Sequence, residues 1–200
     1  SGAEMRNYAQ QYAGGQLSGD RFSLNLANAV WFKDDETLSL NTDFLTDAVS
    51  YYQGGAYSSA FDKGAAAAIN SWLGGKTGGA IAKAIESTPD YAGMYLVSAL
   101  ALDAEWEQPY TKTDLLGGSF FVGPGHRNQT EMMYSEEDLY LTDDNAVGFI
   151  KNYAGGRYAF AALLPDEGVS APDYVAALSG EKLLSILNNA EQTKVSVAIP

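Results

Sequence analysis

The stretch Phe22-Ser23-Leu24-Asn25-Leu26-Ala27-Asn28-Ala29-Val30-Trp31-Phe32 decides how the chain folds. Phe22, Leu24, Leu26, Asn28, Val30 and Phe32 fall on one side of a two-residue repeat. Ser23, Asn25, Ala27, Ala29 and Trp31 fall on the other. Strict alternation over that length is the signature of a long strand, because successive side chains of an extended backbone point to opposite faces. The charged run Lys33-Asp34-Asp35-Glu36 ends it.

On either side of this strand the period changes. Residues 1–20 read as a short helical segment, a break at Gly14-Gly15 and a turn at Ser18-Gly19-Asp20. Over 41–52, Phe44, Leu45, Ala48, Val49 and Tyr52 form a helical stripe, with Asn41 or Thr42 as the N-cap and Asp43 in the first turn. Gly54-Gly55 stops that helix, and 56–61 is a short strand. Asp62 is expected to cap a second helix with the stripe Ala65, Ile69, Trp72 and Leu73. If this helix runs on through Gly74-Gly75, each glycine costs it about 1 kcal/mol. Residues 94–103 are apolar on both sides and are expected to be a strand buried inside a sheet.

The second half is dominated by hairpins. Phe120-Phe121-Val122 and 127–134 flank Gly123-Pro124-Gly125, and 147–152 and 158–164 flank Tyr153-Ala154-Gly155-Gly156-Arg157. Residues 131–144 carry Glu131, Glu136, Glu137, Asp138, Asp143 and Asp144 with no Lys or Arg, which predicts a solvated acidic edge. After the loop Pro165-Asp166-Glu167-Gly168 come short helices at 174–178 and 181–187, the second capped by Ser179, and a strand that begins at 195. Antiparallel hairpins with segregated helices indicate an α+β fold.

Composition narrows the function. The chain has 200 residues, 46% of them hydrophobic, enough for a sizeable core. With 12 Lys and Arg against 25 Asp and Glu, the net charge is −13. That balance argues against nucleic-acid partners and against an anionic membrane surface. There is no Cys and a single His, so thiolate chemistry and His-rich metal sites are out, and no cofactor is expected. No apolar run approaches the roughly 18 residues that a bilayer span needs. The chain opens Ser1-Gly2-Ala3 without an initiator Met, which reads as a processed, truncated or engineered start.

Catalytic motifs are approached but not completed. Gly74-Gly75-Lys76-Thr77 resembles the end of a phosphate-binding loop, but Asn70 stands where that loop needs glycine, and a helix precedes it rather than a strand. Gly117-Gly118-Ser119-Phe120-Phe121 lacks the second glycine of a nucleophile elbow. His126 sits in a turn with no triad pattern around it. Asp143-Asp144-Asn145 suggests a calcium loop but lacks ligands at Val147 and Ala154. Asp34-Asp35-Glu36 and the Glu105, Glu107 pair read as surface acids, and the sequon Asn128-Gln129-Thr130 is a frequent chance pattern. Trp31, Trp72 and Trp106 read first as core residues, with Trp106 also suited to plug a sheet end. The chain is therefore not read as an enzyme.

Several stretches, taken in order, resemble the serpin family. Leu24 to Phe32 resembles its strand "ANA-hydrophobic-F". Phe44-Leu45 with Tyr51-Tyr52 looks like the helix that follows. Ile69-Asn70-Ser71-Trp72 and Lys76-Thr77-Gly78-Gly79-Ala80-Ile81 are similar to its helix F pattern. Leu96-Val97-Ser98-Ala99-Leu100 with Trp106-Glu107-Gln108-Pro109-Tyr110 looks like "LVNA…W-E-x-P-F". Glu131-Met132-Met133, Leu163-Leu164-Pro165 and 195–200 match further family segments. The resemblance implies a large, mostly antiparallel central sheet with covering helices and a smaller β-hairpin or barrel region, incomplete here. Residues 1–200 would form a partial serpin domain. On that resemblance, the first helices, the reactive loop and the last strands are expected to lie outside residues 1–200.

The resemblance also implies a mechanism. A serine protease cleaves a bait loop, which inserts into the main sheet as a new strand and traps the enzyme. Strands 22–32 and 94–103 would be central, and the helix at 62–73 would lie across the sheet and yield. The implied switch residues are Asn28, Ser98, Trp72, Thr77, Gly79 and Trp106. Ser98 stands where the family usually has Asn, Asp103-Ala104 where Lys-Gly is usual, and Gly74-Gly75 predicts an unusually soft helix F. A secreted, extracellular location and a prokaryotic source are expected. A complementary chain or a swapped copy would complete the open sheet. A non-inhibitory carrier on the same fold and a self-standing interaction module are the alternatives.

Overall fold

The computed structural model describes residues 2–13, 18–123 and 125–200. The expected Gly14-Gly15 break and Pro124 of the 123–125 turn lie outside these residues. The chain divides into two compact units, Ser1–Ala104 and Glu105–Pro200.

In the first unit, helix α1 (Gly2–Ala13) is followed by the two-residue strand β1 (Ser18–Gly19) and the long strand β2 (Phe22–Lys33). Helix α2 (Thr42–Ser50) starts where Asn41 Oδ1 accepts from the amides of Asp43 and Phe44, a cap worth about 1 kcal/mol. Strand β3 (Gly55–Ser59) returns parallel to β2, and β4 (Met94–Ala104) pairs antiparallel along the whole of β2, from Phe22 opposite Ala104 to Phe32 opposite Met94.

Helix α3 (Ala65–Lys76) lies against one face of this sheet. Its stripe Ala65, Ile69 and Leu73 is at most 3% exposed and packs with Phe61 on Ala29, Trp31 and Ala99. The helix runs through Gly74-Gly75. Asp62 does not cap it, as the sequence had suggested. Its carboxylate accepts from Gly64 N, and Gly64 is the N-cap.

The opposite face corrects the expectation for residues 94–103. Among the described strands, β4 pairs with β2 alone. Leu96 is 68% exposed and Leu100 55%, and Met94 and Leu102 share their face and their exposure. An apolar sequence on both sides of a strand reports that both faces suit burial, not that both are covered within the same stretch of chain.

The second unit is a five-stranded sheet. Strands β5 (Leu115–Gly123), β6 (His126–Thr142), β7 (Ala146–Asn152) and β8 (Ala159–Pro165) form an antiparallel path, and β9 (Glu191–Ile199) pairs with β6. Gly148 in β7 is required by a close approach: a Cβ there would stand 2.1 Å from the Ala162 carbonyl oxygen. Helices α4 (Ala171–Ala177) and α5 (Gly180–Asn188) are capped by Ser170 and Ser179.

Here the expected acidic edge is corrected. Residues 131–142 belong to the long strand β6, and three of the acids find cations beyond the 131–144 window. Glu136 pairs with Lys194, Glu137 with Lys151 and Asp143 with Lys182. Sheet pairing sets β7 and β9 beside β6, so a charge that looks isolated along the chain is not isolated across it.

Candidate functional site

The six residues implied as a switch separate into three groups. The first is a cross-strand pair: Asn28 of β2 stands directly opposite Ser98 of β4. Asn28 Nδ2 donates to the Tyr52 carbonyl at 2.9 Å, so its amide ties β2 to the end of α2 rather than to β4. Ser98 is exposed, and among the described residues its hydroxyl makes no hydrogen bond. The pair lines an open apolar groove of about 430 Å³ with Phe44, Ala48, Tyr52 and Leu96.

The second group lies on α3 and its exit. Trp72 Nε1 donates to Tyr57 Oη at 3.0 Å, and the Tyr57 ring stacks on Trp31 at 4.6 Å. Thr77, 3% exposed, ends the helix: its Oγ1 donates to Leu73 O at 2.7 Å and accepts from Ile81 N at 3.0 Å. Gly79 has φ of +88°, which a side chain would strain, and its amide donates to Gly74 O. Asn70 was not singled out as a switch residue, yet its side chain clamps the return segment. Nδ2 donates to Ile85 O, and Oδ1 accepts from Ala84 N and Ile85 N. The helix and 77–85 are therefore one hydrogen-bonded piece. Among the described residues one side-chain hydrogen bond, Trp72 to Tyr57, joins α3 to the sheet. Trp31 Nε1 is buried at this interface with no partner among the described residues.

The third group is Trp106, in the second unit. Its ring stacks flat on Tyr153, with centroids 4.3 Å apart and planes 8° apart, and meets Phe160 edge-on. The cation that anchors this cluster escaped the sequence reading. Lys151 Nζ donates to Glu137 Oε1 at 2.6 Å and lies 4.6 Å from the Tyr110 ring and 5.7 Å from the Trp106 ring. A lone Lys at the end of the otherwise apolar run 146–151 was the signal available. Burial pushes the Tyr153 phenol up. Nearby, hydrogen bonds from Thr111 hold the Asp114 carboxyl below its usual range, with a smaller contribution from the Lys151 charge.

A further hub sits at the β6–β7 turn. Burial pushes the Asp143 carboxyl up, but hydrogen bonds from Asn145 N, Lys182 and Tyr174 outweigh it and leave the group below its ordinary value. Its partner Tyr174 is pushed up to about 12, by burial first and then by Asp143. Among the described residues no group of three or more His, Asp or Glu side chains is placed to hold a metal ion, and no helix is long and apolar enough to cross a membrane.

Comparison with known proteins agrees with this architecture. The chain is similar to the native state of the thermophilic serpin Tengpin, with 36% identity and a TM-score of 0.93 over 100% of this chain and 51% of that one. Against the latent state of the same protein the TM-score is 0.86. An uncharacterised serpin-like protein of Thermococcus kodakarensis is 26% identical over 91% of this chain and 43% of its own length. Thyroxine-binding globulin in complex with thyroxine shares the fold at a TM-score of 0.84 and 21% identity, covering 99% of this chain and 55% of that one. The chain thus spans about half the length of the relatives it matches. The family model described as serpin, serine protease inhibitor, matches residues 2–200, a description of a protein that blocks an enzyme rather than of an enzyme. The chain belongs to the serpin family.

Proposed function

We propose that this chain is part of an inhibitor of serine-type proteases that acts by cleavage of a bait loop and its insertion as a new strand beside β4. The observations that carry the reading are the family match over residues 2–200 and the closer likeness to the native than to the latent state of Tengpin; β4 is the strand that a new one would join. Eleven residues long, it is paired on one edge only among the described strands, with Leu96, Leu100 and Leu102 exposed on one face. An inserted strand would gain a ladder of backbone hydrogen bonds and apolar cover, the same drive as other strand additions. The likeness is closer to a native serpin than to the latent form of the same protein, which supports an arrangement in which that gain is still unspent.

In this reading the switch residues take distinct parts. Asn28 and Ser98 sit across the β2–β4 pairing. Ser98, having only a hydroxyl where the family usually has an amide, restrains opening less. Trp72, Thr77 and Gly79 belong to the α3 piece that must shift from the sheet, and Trp106 matches the family tryptophan associated with the start of insertion. The partner is a serine protease met outside the cell, and 1–200 is a partial serpin domain.

A carrier on the same fold is the second reading, supported by the apolar groove between β2, β4 and α2. Incubation of the protein at full gene length with trypsin-like, chymotrypsin-like and elastase-like proteases separates the two. A protease adduct at the summed mass, resistant to SDS, is expected for the inhibitor. Clean cleavage with no adduct from any of the three overturns that reading and moves attention to the groove.

A further inference from the structure

Strand β7 carries one cation, Lys151, and the fold buries it to 3% exposure. A desolvated ammonium is tolerated only when it is paired and its remaining protons are engaged. Lys151 meets both conditions with groups from two other pieces of chain. Glu137, from β6, accepts a hydrogen bond from its ammonium at 2.6 Å. Tyr110 and Trp106, from the segment 105–110, present ring faces at 4.6 Å and 5.7 Å.

That segment has no regular secondary structure beyond a single bridge of Trp106 to Tyr153. The two backbone bonds of that bridge fasten it to the end of β7: Glu107 N donates to Asn152 O at 3.0 Å, and Ala154 N donates to Glu105 O at 2.8 Å. The rings and these bonds meet around Lys151, which stands between the bridge and β6.

We propose that Lys151 is the positioning residue of the Trp106 segment. Its ammonium, oriented by Glu137, holds residues 105–110 against the end of β7, and loss of that charge frees Trp106 while leaving the sheet intact. A buried ion pair often adds little net stability over apolar residues of like size, and in some proteins it fixes which arrangement the chain adopts. The pair therefore governs position more than melting. The latch stands on geometry alone. Its consequence, that release of Trp106 sets how fast a strand enters, rests on the inhibitory reading above.

The test is amide hydrogen exchange on the protein at full gene length, for Lys151→Met, Glu137→Gln, Lys151→Arg and the double variant Lys151→Met/Glu137→Met. The double variant leaves no buried charge unpaired, so it covers the case in which a single variant fails to fold. It is expected to keep the wild-type melting temperature while exchange at the Glu107 and Ala154 amides rises about tenfold or more, the β7–β8 ladder staying unchanged. Lys151→Arg, which keeps both charge and ring contact, is expected to keep wild-type exchange at those amides. Exchange at Glu107 and Ala154 that stays within about twofold of wild type in the double variant overturns the proposal. So does Lys151→Arg behaving as Lys151→Met. Absence of any protease adduct from the wild type sinks the inhibitory reading and leaves the latch standing.

Discussion

The α3–sheet interface of the first unit and the Lys151–Glu137 pair of the second are both buried, but they hold by opposite means. Ala65, Ile69 and Leu73 press on Ala29, Trp31 and Ala99 with, among the described residues, one side-chain hydrogen bond, Trp72 to Tyr57, and one donor without a partner, Trp31 Nε1. In the second unit Lys151 and Glu137, and Asp143 with Tyr174 and Lys182, fix their elements through short directional contacts. Apolar contact scales with area and is indifferent to direction, so a helix held that way can slide at modest cost. Charge-assisted bonds weaken steeply with displacement, so they fix register. The lesson is a division of labour between a greased contact and a pinned one.

The largest expected blow to the comparison is Ile69→Ala. Ile69 is 1% exposed, and its truncation should cost about 3 kcal/mol by urea unfolding. An effect under a third of that would show that the interface relaxes around the cavity and is looser than the packing indicates. Gly148→Ala comes next. With the Ala162 oxygen 2.1 Å from the new Cβ, about 2 kcal/mol of destabilisation is expected. A wild-type melting curve would mean that β8 moves aside freely, against the idea that the second unit is the pinned one.

Asp143→Asn should cost about 1 kcal/mol near pH 7. Its folded carboxyl lies below the ordinary value, so the stability it supplies is complete above the unfolded pKa and is lost as pH falls through the folded one. The gap between wild type and Asp143→Asn should thus close in acid; a gap that widens there contradicts the assignment. On the alkaline side, Tyr174 is raised to about 12, so the wild type should lose stability as pH climbs from the ordinary phenol value towards that figure. The smallest effect is a gain. Gly75 has open space where a Cβ would go and an ordinary helical backbone, so Gly75→Ala should stabilise α3 by about 0.5–1 kcal/mol. Slower hydrogen exchange over 69–76 would support a glycine-softened helix; unchanged exchange would remove that explanation for its yielding.

Much of the fold was legible because it is written in local periods. The alternation of 22–32, the helical stripe after Asn41 and the glycine-turn hairpins of the second half each state their structure within about a dozen residues. What was not legible depends on neighbours far along the chain. Glu137 looked solvated because Lys151 lies outside its window, and Glu136 because Lys194 lies further still. The openness of β4 was hidden because an apolar residue looks the same whether or not its cover is present. Asn28 and Ser98 were separate candidates in the sequence; that they face each other needed the β2–β4 register, and the hold of Asn28 on Tyr52 needed the path of the chain after α2.

The pairing of β2 with β4 also bears on how the molecule assembles. It joins residues as distant as Phe22 and Ala104, with α2, β3 and α3 between them. Closing so long a loop is slow compared with zipping a hairpin such as β7–β8, whose partners meet across a short turn. A ribosome delivers β2 well before β4, so the first unit spends its synthesis with its central strand unpaired on that edge. In the later half the β5–β6, β6–β7 and β7–β8 hairpins can zip soon after each emerges, and only the β6–β9 pairing waits on a distant strand.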